Sequence, residues 1–317
     1  MGHGGCAAAI PITSGFPRDR PSCNRERSGP DPMASPPAFG AHRVRHRFGQ
    51  HWLVDQEVLG QIVRAAELTA SDHVLEVGPG RGVLTEALLA TPVAQVTAVE
   101  LDRDLVAGLD QRFGADPRCT LVSGDILSVP LPPVGPPGPN KVVANIPYNI
   151  TGPLLERLLG RLDRPLTPPF QRLVLLVQRE VGERLRAEAG MSAFSALSVR
   201  MQLLGTIKGV CSVPPRCFQP PPRVHSEVIL IDPLPPEQRL SQELAGALEP
   251  LLRRAFTARR KMLRNSLAGL LPEDTLAAHA AEAGVSLQAR PQDLSPQQWV
   301  AFATSLNRAT PSAPPAP

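Results

Sequence analysis

Short apolar runs rich in β-branched residues alternate with amphipathic segments along most of the chain. The runs typical of strands are 73–77, 95–99, 119–123, 141–145 and 172–178. Apolar positions at helical spacing occupy 81–90, 103–113 and 153–162. Strands that alternate with helices are joined by crossover connections, and such connections produce parallel sheets. The pattern therefore predicts an α/β fold with a parallel sheet built from βαβ units.

Two further apolar segments, 206–213 and 224–231, follow each other without a helix between them. We predict that they form an antiparallel pair at one edge of the sheet, because only antiparallel neighbours can be joined by a short connection. After the proline-rich stretch 233–236, residues 239–309 show helical spacing and no strand pattern. The pattern predicts an α/β domain over 41–232 and a small all-α domain over 233–309.

The two ends of the chain differ from the rest in composition. Residues 1–40 and 310–317 are rich in proline and lack apolar periodicity, which predicts disordered tails; Met33 is an alternative start of the chain. No apolar stretch has the length of a membrane span. The five cysteines lack the spacing of a zinc site. We expect a monomeric cytoplasmic protein with neither a metal nor a membrane partner.

A glycine loop follows the first predicted strand of the sheet. Residues 78–82 read Gly-Pro-Gly-Arg-Gly, and glycines such as Gly78 and Gly80 let a backbone approach a ligand closely. The spacing differs from the dinucleotide fingerprint, and no Lys-Ser/Thr pair follows, which excludes a P-loop. A plain tight turn is the alternative interpretation of this loop.

Two acidic residues, Glu100 and Asp125, end the next two predicted strands. The carboxyl ends of parallel strands meet at one edge of a sheet, where ligands bind. There Glu100 could accept the ribose hydroxyls of a nucleoside, and Asp125 could accept the adenine amino group. Because nothing grips a pyrophosphate, the ligand that fits best is S-adenosylmethionine. Taken singly, each acid could instead be a solvated strand end or a helix cap.

The fourth predicted strand ends in Asn145-Ile146-Pro147-Tyr148, which contains the chain's one tyrosine. The exocyclic amine of adenine is a poor nucleophile until acceptors orient its hydrogens. The side-chain oxygen of Asn145 and the carbonyl of Ile146 would be those acceptors, and Pro147 would fix the turn. Tyr148 offers a stacking face worth ~1–3 kcal/mol to an unpaired or flipped base. The alternative is a proline-stiffened turn with a core tyrosine.

A run of basic residues lies near the start of the predicted helical domain. Residues 253–264 carry six positive charges and no negative one. On one continuous helix, Arg253, Arg260, Lys261 and Arg264 would share a face, because their spacings are close to whole turns. We predict that they contact an RNA backbone; a solvated helix face is the alternative.

Several segments together resemble the KsgA-type small-subunit (16S) rRNA adenine N6,N6-dimethyltransferases. They are LEVGPGRGVLT (75–85), VELD (99–102), GDIL (124–127), NIPYNIT (145–151), PPRCFQPPPRVHSEV (214–228) and RRKMLRNSL (259–267). The resemblance implies a Rossmann-like class I methyltransferase domain that uses S-adenosylmethionine, with a helical RNA-binding domain after it. It also implies dimethylation of two adjacent adenosines in the 3′-terminal hairpin loop of the rRNA, within an immature 30S particle, and a role in ribosome biogenesis.

The resemblance also assigns roles to individual residues. The implied cofactor contacts are His51, Leu53, Gly78, Glu100, Asp125 and Asn145. Phe218 would be a second stacking face for the target base, although by sequence it could equally cover the core. His51 and Trp52 depart from the family's usual FGQNFL, which leaves open whether His51 acts through its side chain or its backbone. An adenine-N6 methyltransferase of DNA and a non-catalytic rRNA-binding assembly factor remain as alternatives.

Overall fold

Nine strands build the sheets of the computed structural model, which describes residues 51–308. The predicted tails at 1–40 and 310–317 lie outside the described residues. The strands are Trp52–Leu53 (β1), His73–Val77 (β2), Gln95–Glu100 (β3), Cys119–Ser123 (β4), Lys141–Asn145 (β5), Arg172–Gln178 (β6), Gly205–Val213 (β7), Phe218–Gln219 (β8) and Ser226–Pro233 (β9).

Seven strands form the main sheet in the order β4-β3-β2-β5-β6-β9-β7. The first five strands in this order, β4, β3, β2, β5 and β6, are mutually parallel. This confirms the predicted parallel sheet. β9 pairs antiparallel with both β6 and β7, so the second segment of the predicted pair lies inside the sheet and β7 forms the edge. β1 and β8 form a separate two-stranded ribbon, which the hydrophobic pattern does not predict because each strand has only two residues.

Ten α-helices accompany these strands in the described range. They are Gln56–Ala66 (α1), Val83–Leu89 (α2), Arg103–Phe113 (α3), Thr151–Leu159 (α4), Arg179–Arg186 (α5), Ala196–Gln202 (α6), Gln242–Thr257 (α7), Leu263–Ser266 (α8), Glu273–Glu282 (α9) and Pro296–Arg308 (α10). Polar side chains cap several starts: Asp55 accepts the first-turn amides of α1, Asp102 one of α3 and Ser241 one of α7. None of the described helices has the length and apolar character that crossing a membrane requires.

The apolar core has two parts, one on each face of the main sheet. Along β2 and β5, alternate residues belong to different clusters: Leu75 and Val142 to one, Val74 and Val143 to the other, as expected for strands whose side chains alternate between faces. The first cluster continues into the C-terminal helices and includes the fully buried Trp299. All described residues belong to one compact unit. The domain boundary at 232/233 stays a prediction.

The basic run 253–264 does not form one helix, which corrects the expectation of a shared helical face. α7 ends at Thr257, and the next residue, Ala258, has φ −121° and ψ 52°. The side chain of Arg259 donates hydrogen bonds to Gln292 and to the carbonyl of Ser192. These contacts favour a turn over continuation of the helix, and the chain becomes helical again at Leu263.

Candidate active site

A cavity of about 350 Å³ opens at the carboxyl ends of β2, β3 and β5. This volume lies within the usual range for small-ligand pockets. Most residues singled out from the sequence line it: His51, Gly78, Gly80, Glu100, Asp125, Asn145, Ile146, Pro147 and Tyr148. The structure therefore brings together the glycine loop, the two acids and the N-x-P-Y segment.

The glycine loop turns sharply where β2 ends. Gly78 and Gly80 have φ values of +67° and +58°, a region that side chains disfavour. A Cβ atom at Gly80 would lie 2.9 Å from the ring of Trp52, and one at Gly78 would lie 3.7 Å from Pro147. The backbone of Gly78 therefore faces Pro147 of the N-x-P-Y segment, whereas Gly80 packs closely against the Trp52 ring.

Glu100 ends β3 with its carboxylate fixed against backbone amides. Its two oxygens accept hydrogen bonds from the amides of Gly80 (3.0 Å) and Asp102 (2.9 Å), and the residue is buried. Burial raises the pKa of the Glu100 carboxyl, while these two amides lower it. Each carboxylate oxygen has a further lone pair, so Glu100 can hold the loop and still accept from a ligand.

Asp125 is the exposed counterpart of Glu100 at the end of β4. One of its oxygens accepts the amide of Leu127 at 2.9 Å, and the residue borders the cavity. Leu101 and Ile126 also line the cavity, and sequence reasoning missed both. The signal was present, because an apolar residue directly follows each acid in the chain.

The side-chain amide of Asn145 has a defined orientation. Its nitrogen donates to the carbonyl of His51 at 3.1 Å, so its oxygen remains as an acceptor. Ile146 is held in place by donation of its amide to the carbonyl of Leu176. The ring of Tyr148 stacks on that of His51 with centroids 5.8 Å apart and planes at 25°, and its hydroxyl lies 2.6 Å from Ser226 Oγ.

His51 contacts the rest of the protein through its ring and through its backbone carbonyl. Its Nδ1 lies 2.8 Å from the carbonyl of Pro220, and its own carbonyl accepts from Asn145. Because a carbonyl only accepts, Nδ1 must carry the proton.

Two predicted site residues, Leu53 and Phe218, do not line the main cavity. They are direct partners in the β1–β8 ribbon, and both are buried in the second apolar cluster. The ribbon anchors the segment that carries His51. The described conformation does not present the Phe218 ring to the cavity, and its stacking role stays a prediction.

The six cations of the basic run divide into two groups. The guanidinium groups of Arg254 and Arg259 bond to backbone carbonyls of Ala268 and Ser192. Arg253, Arg260, Lys261 and Arg264 are exposed, and their side chains have no hydrogen-bond or ion-pair partner among residues 51–308. These four are the residues singled out from the sequence, although a turn and two helices carry them.

Glu76 is a buried carboxyl within β2 that sequence reasoning missed. One of its oxygens accepts from the hydroxyl of Thr85 at 2.7 Å, and the other has no partner among the described residues. Burial raises the pKa of Glu76 to about 8. An acid between the apolar residues Leu75 and Val77 was the available signal. Within residues 51–308, no cluster of side chains could hold a metal ion.

A parallel sheet with a glycine loop and acids at successive strand ends defines a Rossmann-like, class I methyltransferase fold. A family model described as "Ribosomal RNA adenine dimethylase" matches residues 41–308, and the chain belongs to that family.

Curated relatives and solved structures agree with this assignment. The chain is 65% identical over 271 residues to ribosomal RNA small subunit methyltransferase A of Parasynechococcus marenigrum (strain WH8102), covering 86% of this chain and 90% of the relative. The corresponding protein of Synechococcus sp. (strain RCC307) is 64% identical, with 86% and 99% covered.

Two crystal structures share the fold over most of their length. A dimethyladenosine transferase from Plasmodium falciparum superposes with a TM-score of 0.70 at 24% identity, covering 81% of this chain and 98% of that one. The 23S rRNA methyltransferase ErmE superposes with a TM-score of 0.63 at 27% identity, with 80% and 99% covered.

Proposed function

We propose that the protein dimethylates N6 of two adjacent adenosines in the 3′-terminal hairpin loop of small-subunit rRNA. The observation that carries the proposal is the orientation of Asn145. Its amide nitrogen is engaged by the carbonyl of His51, which leaves the oxygen as an acceptor at the cavity, where the amine of a target adenine would need one. Family membership and the names of the curated relatives support the same reaction.

The cavity fits S-adenosylmethionine as the methyl donor. Glu100 would accept the ribose hydroxyls, and Asp125 would accept the adenine amino group through the oxygen that Leu127 leaves unused. Leu101 and Ile126 would cover the faces of the ring. The bare backbone at Gly78 leaves room for the rest of the molecule. When bound, S-adenosylmethionine supplies an electrophilic methyl group on a sulfonium.

The N-x-P-Y segment would prepare the target amine for attack. Asn145 Oδ1 and the Ile146 carbonyl would accept its two hydrogens, which favours the tetrahedral geometry and directs the lone pair. Tyr148 would stack on the base and hold it. Orientation and preorganised acceptors can account for such catalysis, so no side chain needs to remove a proton before transfer.

The proposed substrate is rRNA within an immature small ribosomal subunit, bound by a monomer in the cytoplasm. Four cations without a side-chain partner among residues 51–308 would contact phosphates, which position RNA without reading its bases. They are Arg253, Arg260, Lys261 and Arg264. The similarity to ErmE, named a 23S rRNA methyltransferase, favours RNA over the DNA alternative.

A methyl-transfer assay separates the candidates. Immature small subunits, naked rRNA and duplex DNA are offered in parallel with labelled S-adenosylmethionine, and the products are digested to nucleosides. We expect N6,N6-dimethyladenosine from the subunits. Methylation of DNA alone would favour the DNA enzyme, and binding of subunits without any transfer would favour an assembly factor.

A further inference from the structure

Tyr148 is held by two contacts that involve distant parts of the chain. Its hydroxyl lies 2.6 Å from Ser226 Oγ, and its ring stacks on His51. The ring is therefore fixed at its edge and on one face, which leaves its other face for a target base.

Ser226 is a rigid partner for that hydroxyl. It is completely buried and begins β9, the strand next to the edge strand β7, where Gln178 of β6 and Val213 of β7 flank it. A side chain held between two paired strands has little freedom to follow a moving neighbour. Ser226 thus ties Tyr148 to the paired strands of the main sheet.

His51 connects this anchor to the second half of the target site. Its ring bonds to the carbonyl of Pro220 while its own carbonyl orients Asn145. Pro220 and Ser226 belong to one short stretch of chain, so that stretch supports both Tyr148 and, through His51, Asn145. Asn145, the acceptor, and Tyr148, the stacking ring, are therefore connected through a continuous series of contacts.

We propose that Ser226 is a positioning residue for methyl transfer, acting through the hydroxyl of Tyr148. The proposal rests on the function proposed above. Loss of the Ser226 hydroxyl would let the Tyr148 ring rotate away from the plane in which it presents the target adenine to the methyl donor. A displacement of this kind slows a reaction that depends on alignment without weakening cofactor binding.

A double-mutant cycle tests the connection. We expect Ser226→Ala and Tyr148→Phe each to slow single-turnover transfer to immature small subunits about tenfold, the size of one lost hydrogen bond. The double variant should be no slower than either single one, because both remove the same contact. Calorimetric affinity for S-adenosylmethionine should stay at the wild-type value. Ser226→Cys replaces Ser226→Ala if the alanine variant does not fold, with the same expectation.

The single tyrosine of the chain provides a readout independent of activity. Burial raises the pKa of Tyr148, and the Ser226 hydrogen bond lowers it. The tyrosine is titrated spectrophotometrically at alkaline pH, and circular dichroism shows at which pH the protein unfolds. Below that pH, the pKa of Tyr148 should be higher in Ser226→Ala than in wild type. Ser305→Ala is the matched control: it removes another buried hydroxyl, bonded to Glu282, and should change neither the rate nor the tyrosine titration.

The outcomes separate this proposal from the function itself. A wild-type chain that transfers no methyl group to any RNA would refute the proposed function. An active wild type with an unchanged rate in Ser226→Ala, or additive losses in the double variant, would refute the role of Ser226 and leave the function standing.

Discussion

The cofactor half and the target half of the site are built in different ways. In the cofactor half, Glu100 and Asp125 each accept an amide two residues further along the chain. In the target half, the partners of Asn145 and Tyr148 lie 94 and 78 residues away in sequence. Local contacts form wherever a strand ends in the right residues, whereas distant contacts require the complete fold. The target half should therefore be the more sensitive to changes elsewhere in the molecule.

The largest effect is expected from the target half. Asn145→Ala should slow single-turnover methyl transfer ~10²–10³-fold, the typical loss when one preorganised partner of a transition state is removed. Rapid-quench measurement with labelled cofactor checks the rate, and calorimetry checks the dissociation constant. A rate within threefold of wild type would contradict the role of the Asn145 oxygen.

A comparison of the two acids sharpens the account of the cofactor half. Glu100→Ala should weaken S-adenosylmethionine binding by about a hundredfold or more, because two hydrogen bonds to a charged group, each ~1.5–3 kcal/mol, are lost. It should also lower the melting temperature, since the buried amides of Gly80 and Asp102 lose their acceptor. The sequence alone predicts little effect of this change on folding.

Asp125→Ala is the matched variant for Glu100→Ala. Asp125 is exposed, so its loss should weaken cofactor binding while the melting temperature stays close to that of wild type. Calorimetric titration and thermal unfolding of both variants check the difference. Equal melting temperatures for Glu100→Ala and Asp125→Ala would contradict a structural role for Glu100.

The buried Glu76 makes a pH-dependent prediction. Its pKa is raised in the folded state to about 8, so the folded protein retains a proton that the unfolded chain releases near pH 4.5. The contribution of Glu76 to the free energy of unfolding is fully present below pH 4.5 and is lost as the pH rises through about 8. Each pKa unit corresponds to about 1.4 kcal/mol.

Glu76→Gln removes this loss. Relative to wild type, the variant should gain melting temperature at pH 9, by several degrees, and gain little at pH 5. Thermal unfolding across this range checks the trend. A difference between the two proteins that is independent of pH would show that Glu76 does not titrate as described.

The smallest effect concerns the basic run, none of whose residues lines the cavity. Replacement of Arg260, Lys261 and Arg264 together by Gln should reduce the salt dependence of rRNA binding by up to ~0.9 log units per lost phosphate contact, the duplex value. Affinity for S-adenosylmethionine should not change. Arg254→Gln, which removes a cation bonded to Ala268, is the control and should leave the salt slope near that of wild type.

Sequence reasoning succeeded where apolar residues follow a clear period, and it failed where few residues are buried or where distant contacts decide the structure. The parallel strands were predictable because apolar β-branched runs are buried on both faces of a central sheet. α5 was missed: its exposed surface carries the ion pairs of Arg179 with Glu183 and Arg184 with Glu180, and few of its residues are buried. The basic run was predicted as one helix from its spacing alone. The contacts of Arg259 with distant segments, which favour a turn, cannot be predicted from spacing.

The sequence by itself determined the fold class, the glycine loop, the two acids and the N-x-P-Y segment, since each depends on residues adjacent along the chain. Only the tertiary structure decided that His51 orients Asn145, that Ser226 holds Tyr148 and that Phe218 lies buried. It also buried Glu76 with one carboxyl oxygen that has no hydrogen-bond partner in the described part of the chain. These features depend on which distant segments meet once the apolar surfaces of the sheet and helices are buried together. The spacing of residues along the chain does not indicate which distant segments come into contact.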